Sequence, residues 1–300
     1  MIMKTSRGEN VFNAVNVVFM IVLTVTMLLP FLNVISISLM PDSIISKYRS
    51  ILFLPFPKEI TFESYSFIFS GSTRFPRVFL NTLYLVFMGT FTTLICTMFT
   101  AYALSKKDLR GRKILLKIMI FTMLFPSGLI PNFMMVKYTQ LIDTFWAIFV
   151  PGLVDVWAMF IFVTFFRNLP QGVEESAHID GANDITIFFR IVIPLSMPII
   201  ATYGLFYAVG FWNTYIPVLL YINDRDKWTL QILLKQVLQD VSAKLMEMQQ
   251  QNVQIIAKVT PPVEQVKNAV IITTTLPILF AYPFVQKYFV RGLTIGSLKE

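Results

Sequence analysis

Six long runs without a charged side chain, one of them interrupted once, constrain this chain more than any other feature. Each is close to or above the roughly 20 mostly apolar residues that a helix needs to cross a bilayer. The runs are Asn10–Pro41, Val78–Ser105, Ile118–Val136, about Thr144–Phe166, Ile191–Asn223 and Asn268–Gln286. A single carboxylate, Asp155, interrupts the fourth run near its middle. The pattern predicts an all-α polytopic membrane protein with six transmembrane helices.

The composition excludes the soluble alternatives. Hydrophobic residues make up 55% of the 300 residues and charged residues 14%, whereas a soluble domain carries about 25% charged residues. The same composition argues against a disordered chain. Cys96 is the only cysteine, so the chain cannot form an intramolecular disulfide. The net charge of +8 fits a membrane protein whose cytoplasmic loops are basic.

The short loops predict the orientation. The loop Ser105–Lys113 carries five basic side chains and the loop Lys137–Thr144 carries one. Because short cytoplasmic loops are enriched in Lys and Arg, the first of these loops is expected in the cytoplasm. An even number of spans then places both termini on the cytoplasmic side.

These signals define one predicted transmembrane domain, residues 1–300. Its spans are expected at about 13–38, 79–104, 115–136, 145–166, 197–221 and 268–287. A cytoplasmic loop is predicted at 167–196 and an extracytoplasmic loop at 223–267. In the outer loop, apolar residues at helical spacing between Leu230 and Leu245 predict an amphipathic helix. It could lie on the bilayer, cap its own helix bundle or present a docking surface for an external partner.

The polar segment after the fourth run predicts two short helices joined by a turn. Pro170 can open the first helix, and Glu174 and Glu175 then lie in its first turn, where the helix dipole favours anions. Gly181 suits the left-handed position that ends a helix.

The second short helix leads into the fifth run. Asn183 or Asp184 can cap its start. Pro194 and Pro198 are expected to break or kink the chain as it enters the fifth run. Such a helix-turn-helix could transmit force across the cytoplasmic face, or it could simply connect two spans.

This segment resembles the EAA motif of ABC importer permeases. The matching residues are Glu175, Ser176, Ala177, Asp180, Gly181, Ala182, Ile191, Ile193 and Pro194, with Glu174 beside them. Ser176 replaces the usual first Ala, and Ile193 replaces the usual Leu; both changes are modest in size. The resemblance implies that the segment is the coupling helix, which seats in a groove of a separate ATPase subunit.

Other residues look like the carbohydrate branch of the same family. They are Phe211-Trp212-Asn213 in the fifth run and the ending 286–294. The six-span layout and the long outer loop are similar to the maltose-type permease subunit. The resemblance implies a permease subunit in a bacterial inner membrane, importing a carbohydrate and most simply an oligosaccharide by alternating access.

The resemblance also implies the partners. These are a second permease subunit, two cytoplasmic ATPase subunits, an extracytoplasmic solute-binding protein, the sugar and membrane lipid, with no nucleic acid. The chain itself is expected to hold no cofactor and no metal and to catalyse no reaction. ATP and Mg would bind to the partner ATPase.

Polar and aromatic residues inside the runs are candidates for the solute path. An intramembrane carboxylate such as Asp155 normally faces a cavity or a partner, although it could instead cap a helix broken at Pro151-Gly152. Tyr207, Trp212, Asn213 and Tyr215 form an aromatic and polar series in the fifth run. Aromatic stacking and amide hydrogen bonds suit a sugar, whereas an interfacial belt or helix packing would use similar residues.

The alternatives differ in class. The chain has no P-loop, and His178 is its only histidine, which argues against a zinc site. An importer of amino acids or peptides would share the EAA-like segment. A membrane-embedded enzyme using His178 and Asp155, or a membrane scaffold that transports nothing, are the remaining alternatives.

Overall fold

The computed structural model describes residues 7–41, 44–45, 59–70, 74–237, 239 and 264–280. These residues form helices joined by turns, and no strand occurs among them. The chain divides into two compact units, one of residues 1–73 with 234–276 and one of residues 74–233 with 277–300. Each unit is described by itself.

The first unit contains the longest helix, α1, which covers Arg7–Leu39. Its 33 residues span about 50 Å at 1.5 Å per residue, enough to cross a bilayer. A short helix, α2 (Glu63–Phe69), lies against its end. The Tyr65 hydroxyl donates to Ser38 Oγ at 2.8 Å, and the Thr61 amide donates to the Leu39 carbonyl at 2.9 Å. Residues 264–276 of this unit are also helical.

The second unit is organised around α3, Phe75–Ser105. Its buried positions recur every three or four residues, as expected for a helix that turns one stripe toward its neighbours. Small and hydroxyl side chains dominate the middle of this stripe, namely Thr82, Gly89, Thr93 and Thr97. Small residues allow helices to approach closely where lipid provides no hydrophobic driving force.

The remaining helices of the second unit are short. They are α4 (Arg112–Leu124), α5 (Leu129–Tyr138), α6 (Trp146–Phe149), α7 (Val156–Arg167), α8 (Gln171–Ile179), α9 (Asp184–Ile187), α10 (Ile193–Leu195), α11 (Met197–Trp212) and α12 (Ile216–Tyr221). A π-helical turn, Phe188–Val192, joins α9 to α10. Helices α7 and α11 pack along α3.

Three of the predicted spans are bent. The chain turns by 118° between α4 and α5, by 53° between the α6 turn and α7, and by 84° between α10 and α11. The breaks fall at Pro126 with Gly128, at Pro151 with Gly152, and between Pro194 and Pro198. Proline and glycine are the usual causes of sharp helix bends. The predicted kinks at Pro151-Gly152 and at the entrance of the fifth run are therefore confirmed.

Among the described residues, two single helices are long and apolar enough to cross a membrane, α1 (from Gly8) and α3, and up to five spans result if each bent pair is one span. The sixth predicted span extends past residue 280, outside the described part of the chain. The all-α membrane architecture is confirmed, whereas six spans, their boundaries and a single domain stay predictions.

The amphipathic outer helix is described in part. Residues 230–237 are helical, with Leu230 and Ile232 buried and Lys235 exposed. Its predicted continuation through Leu238, Val241 and Leu245 lies outside the described residues.

The closest approach of α3 to α11 predicts a stability difference between two glycines. A Cβ on Gly89 would lie 2.7–2.8 Å from ring carbons of Phe211, and that ring is packed edge to face against Phe149 at 6.0 Å. We expect Gly89→Ala to destabilise the fold by about 1–3 kcal/mol through overpacking. Thermal unfolding of the purified protein in detergent measures this.

Gly204→Ala is the matched control on the same interface. Its new Cβ would meet Leu94 at 3.8 Å, an ordinary contact, and alanine favours the helix by about 1 kcal/mol. An unfolding temperature of Gly89→Ala equal to that of Gly204→Ala would contradict the close packing.

Candidate functional site

The segment between α7 and α10 folds as the predicted helix-turn-helix. Helix α8 ends at Ile179, and Gly181 follows with φ of +83°. The Gly181 amide donates to the His178 carbonyl at 3.0 Å, and the Ala182 amide donates to the Ala177 carbonyl at 2.9 Å. This is the Schellman arrangement, in which a left-handed residue satisfies the last carbonyls of a helix.

The second helix is capped as predicted. Asn183 Oδ1 accepts the Thr186 amide at 2.8 Å, which satisfies one of the free N–H groups at the start of α9. His178 Nε2 lies 3.4 Å from Asp184 Oδ1 and spans the turn from the other side. The two helices are thus held in one defined geometry.

One face of this helix-turn-helix carries exposed apolar and acidic side chains. Ile179 is 86% exposed and Ile185 is 64% exposed, while Glu175 and Asp180 are exposed beside them. Ser176, at the position of the family's first Ala, is exposed as well. Exposed branched apolar side chains at a polar segment are typical of a protein-binding surface. We call these residues the outward face.

The opposite side packs onto the protein. Ala177 and Ala182 contact a core cluster that includes Phe166 and Phe188. Tyr102, near the end of α3, packs against Phe188 with the ring centroids 5.1 Å apart and the rings tilted. The two alanines therefore attach the helix-turn-helix to the helix core. Pro194 is exposed, in α10.

The two adjacent glutamates of α8 have different environments. Glu174 forms an ion pair with Lys106, which follows α3, whereas Glu175 is exposed. The side chains of Lys106 and Glu174 are 32% and 21% exposed. The sequence predicts both glutamates in the first turn of this helix. The structure places only Glu174 there and pairs it within the chain.

Lys106 is held by two interactions. Its ammonium group lies 4.5 Å from the centroid of the Tyr102 ring, a cation–π distance. Burial lowers the pKa of Lys106, but the hydrogen bonds and charge interactions with Glu174 and Tyr102 together outweigh burial, and the pKa lies above its usual value. The lysine is therefore charged at neutral pH.

The end of α3 also binds two arginines. The Leu104 carbonyl accepts Arg112 Nε at 2.7 Å and Arg167 Nη2 at 3.4 Å. The last carbonyls of a helix have no intrahelical partner, so these arginines satisfy one of them. These arginines bind α4 and α7 to this end of α3. The Lys106–Glu174 ion pair holds α8 at the same end.

A cavity of about 360 Å³ lies beside α3. Its other walls are α11 and the break in the chain that precedes α7. Its lining includes Thr93, Asp155, Phe206, Tyr207, Phe211 and Thr214. Two of the predicted path residues, Asp155 and Tyr207, meet there. The volume falls near the lower end of small-molecule pockets, about 300–1,000 Å³.

Asp155 both caps a helix and lines this cavity. Its Oδ1 accepts the Ala158 amide at 3.2 Å, and its own amide donates to Thr97 Oγ1 at 3.0 Å. The capping alternative is thus correct, and it coexists with the cavity position. Whether solute contacts this carboxylate stays a prediction.

Two polar groups of the lining are buried and form no hydrogen bond of good geometry in the described part of the chain, although the Tyr207 hydroxyl is close enough to Thr97 and Asp155 to interact with both. They are the Tyr207 hydroxyl and Thr93 Oγ1. Buried polar groups normally find a partner, in protein or water. Two such hydroxyl groups in a cavity that also holds a carboxylate suit a ligand that carries many hydroxyls.

The other predicted path residues lie elsewhere. The Trp212 indole is buried, edge to face with Phe79 at 6.3 Å. Asn213 ends α11 and donates to the Val209 carbonyl at 2.9 Å. Tyr215 packs against a second core cluster. None of the three lines this cavity, and their role in the solute path stays a prediction.

The sequence pattern does not predict a group of polar contacts around Asp143, at the other end of α3, which we call the Asp143 clasp. Asp143, at φ of +63°, accepts the amides of Asn223 and Asp224 at 2.6 and 2.9 Å, and Lys227 donates to its carbonyl at 2.9 Å. The Asp224 amide chiefly holds the pKa of Asp143 below its usual value. No local pattern reveals partners that lie about 80 residues away.

Helix α3 completes this clasp. Asn81 Nδ2 donates to the carbonyls of Asp226 and Trp228 at 2.7 and 3.0 Å, and Arg77 pairs with Asp226 at 3.0 Å. The start of the long outer loop is thus fixed to the end of α3 that is opposite Lys106.

The metal and enzyme alternatives concern His178 and Asp155. The described residues contain no cluster of three His, Cys, Asp or Glu side chains that could hold a metal ion. His178 follows the C-terminal end of α7, whereas Asp155 precedes its N-terminal end. The 12 residues of α7 span about 18 Å, so these two groups do not form one site.

Comparison with known proteins agrees with this architecture. Residues 94–295 match the family described as binding-protein-dependent transport system inner membrane component. The chain is 41% identical over 299 residues to Protein LplC of Bacillus subtilis, covering 99% of this chain and 98% of that protein. It is 39% identical to the polygalacturonan/rhamnogalacturonan transport system permease protein YtcP of the same organism, covering 94% and 96%.

A solved structure is similar as well. A bacterial ABC transporter involved in the import of the acidic polysaccharide alginate superposes with a TM-score of 0.84 at 29% identity, covering 95% of this chain and 99% of that chain. The chain belongs to the binding-protein-dependent transport system inner membrane component family. It is an ABC importer permease, and this confirms the prediction of a transport subunit rather than an enzyme.

Proposed function

We propose that this chain is the permease subunit of a carbohydrate importer and that its substrate is an oligosaccharide. The observation that carries this proposal is similarity along nearly the whole chain to permeases named for saccharide transport. Besides YtcP, the arabinooligosaccharides transport system permease protein AraQ of Bacillus subtilis is 27% identical, covering 99% of each chain. The cavity with its buried hydroxyl groups agrees with a polyhydroxylated solute.

The partners follow from the family and from this surface. We infer a second permease subunit, two cytoplasmic ATPase subunits and an extracytoplasmic binding protein that delivers the sugar. ATP and Mg would bind to the ATPase, and this chain would hold neither. The outward face offers isoleucines for an apolar groove and carboxylates for basic side chains, as a docked ATPase would require.

The contacts between loops agree with the proposed orientation, because each contact joins two loops that would lie on the same side of the membrane. The basic loop after Ser105 meets α8 through Lys106 and Glu174, whereas the loop at Asp143 meets the start of the outer loop. The first pair would lie in the cytoplasm, with both termini, and the second pair outside.

The mechanism would be alternating access driven through the helix-turn-helix. ATP binding would bring the two ATPase subunits together and displace the helices seated on them. Because α8 and α9 are capped and fixed at Gly181, they would move as one body rather than bend. The permease helices would rock with them and open the cavity to alternate sides.

The first experiment tests orientation. With Cys96 replaced, a cysteine at Arg110 should be protected from a membrane-impermeant thiol reagent in whole cells, and one at Ser242 should react. Permeabilised cells, where both should react, provide the control. Reaction at Arg110 but not at Ser242 in intact cells would reverse the topology.

The second experiment tests coupling. Glu175→Lys should abolish uptake and release the ATPase, because it places a cation where the outward face offers a carboxylate. Membrane insertion should be unaffected, and co-purification of the ATPase measures the loss. Lys107→Gln, which removes an exposed charge of the neighbouring loop, should retain the ATPase. Wild-type uptake by Glu175→Lys would reduce the segment to a connector.

The third experiment tests the solute cavity. Tyr207→Phe removes one hydroxyl and keeps the ring, so the apparent affinity for sugar should fall about tenfold if that hydroxyl binds substrate, the effect of about 1–2 kcal/mol. The panel would hold labelled arabino- and galacto-oligosaccharides, galacturonan fragments and amino acids. Tyr138→Phe, at an exposed hydroxyl outside the cavity, is the control. Uptake of amino acids alone would reject the carbohydrate proposal.

A further inference from the structure

We propose that the Lys106–Glu174 ion pair is the link that passes displacement of α8 to α3, and that Glu174 is therefore a positioning residue rather than an ATPase contact. This proposal rests on the proposed function, because it specifies how the coupling segment acts. It separates two adjacent glutamates that the sequence treats alike.

Helix geometry makes the two glutamates point in different directions. Successive residues of an α-helix are about 100° apart around its axis, so Glu174 and Glu175 cannot both face the same partner. The structure agrees, since Glu174 pairs with Lys106 and Glu175 is exposed.

Glu174 is the attachment of the first half of α8. Among residues 172–176, only Glu174 is partly buried; the other four residues are exposed. The packing contacts of α8 come later, at Ala177. Without the ion pair, the N-terminal half of α8 could tilt away from the core when a partner pulls on it.

Lys106 is well placed to receive that movement. It immediately follows α3 and rests on the ring of Tyr102, which is buried in the core cluster. A pull on the ammonium group therefore acts on the end of a 31-residue helix rather than on a free loop.

The same helix reaches the cavity. From Ser105 to Thr93, α3 runs about 18 Å at 1.5 Å per residue. Thr93 lines the cavity, and Thr97 holds the broken backbone before α7 at Asp155. Movement of α3 along or about its axis would thus reach the lining directly.

The test measures sugar uptake and ATP hydrolysis together in the complete transporter reconstituted in liposomes. In Glu174→Gln the ATPase should remain bound and hydrolyse ATP, while sugar transported per ATP falls about two- to fivefold, the loss expected for a partly exposed ion pair. Lys106→Glu should show the same defect. The double variant Lys106→Glu with Glu174→Lys should recover the wild-type ratio, and Lys106→Arg should keep it.

The control is Lys107→Glu, an identical charge change at the neighbouring exposed lysine. Loss of the ATPase from Glu174→Gln would make Glu174 a docking residue and overturn the proposal. A wild-type ratio in both single charge variants, or no recovery in the double variant, would overturn it as well.

A second readout needs no sugar. With Cys96 replaced, Gly210→Cys carries a bimane fluorophore at the cavity, where the position has no neighbour within 4 Å. ATP with vanadate should change its emission, and Glu174→Gln should weaken that change. If the emission responds but wild type carries no sugar of the panel, the proposed carbohydrate function fails and the link stands. If the response is equal in Glu174→Gln, the link fails.

Discussion

The hydrogen bond from the Asp155 amide to Thr97 Oγ1 allows the helix break between α6 and α7 on which the arrangement of the second unit depends. Where a helix breaks within a bilayer, its freed N–H groups find no water, so protein must satisfy them. Thr97 receives one and the Asp155 carboxylate another. The break at Pro151-Gly152 is thereby tolerated, and the cavity forms at the place where α6 and α7 do not continue one another.

Both ends of α3 carry specialised polar contacts. At one end Arg112 and Arg167 satisfy the Leu104 carbonyl and Lys106 holds α8. At the other end Asn81 and Arg77 fix the start of the outer loop. A helix fixed at both ends and closely packed at Gly89 suits a rigid element that moves as a whole. Signals from the proposed ATPase and from the proposed external binding protein would then act on the same helix.

Local features were predictable because their causes are local. Gly181 takes a left-handed conformation and Asn183 caps a helix for reasons contained in a few neighbouring residues, and the prolines place the bends. The separation of Glu174 from Glu175 was not predictable, since it depends on a lysine 68 positions earlier. The Asp143 clasp has the same origin, and burial of Trp212 depends on Phe79, on another helix.

The cavity also bears on the proposed second permease subunit. Its 360 Å³ is close to the minimum for a small-molecule pocket, about 300 Å³, and Phe206 of its lining is half exposed. An oligosaccharide bound in this cavity would extend beyond it, and its remaining sugar rings would contact a facing subunit. The exposed apolar side chains of α1 likewise call for lipid or a second helical subunit. A second permease facing α11 would close the cavity and supply the remaining contacts, so substrate choice would belong to the pair of subunits.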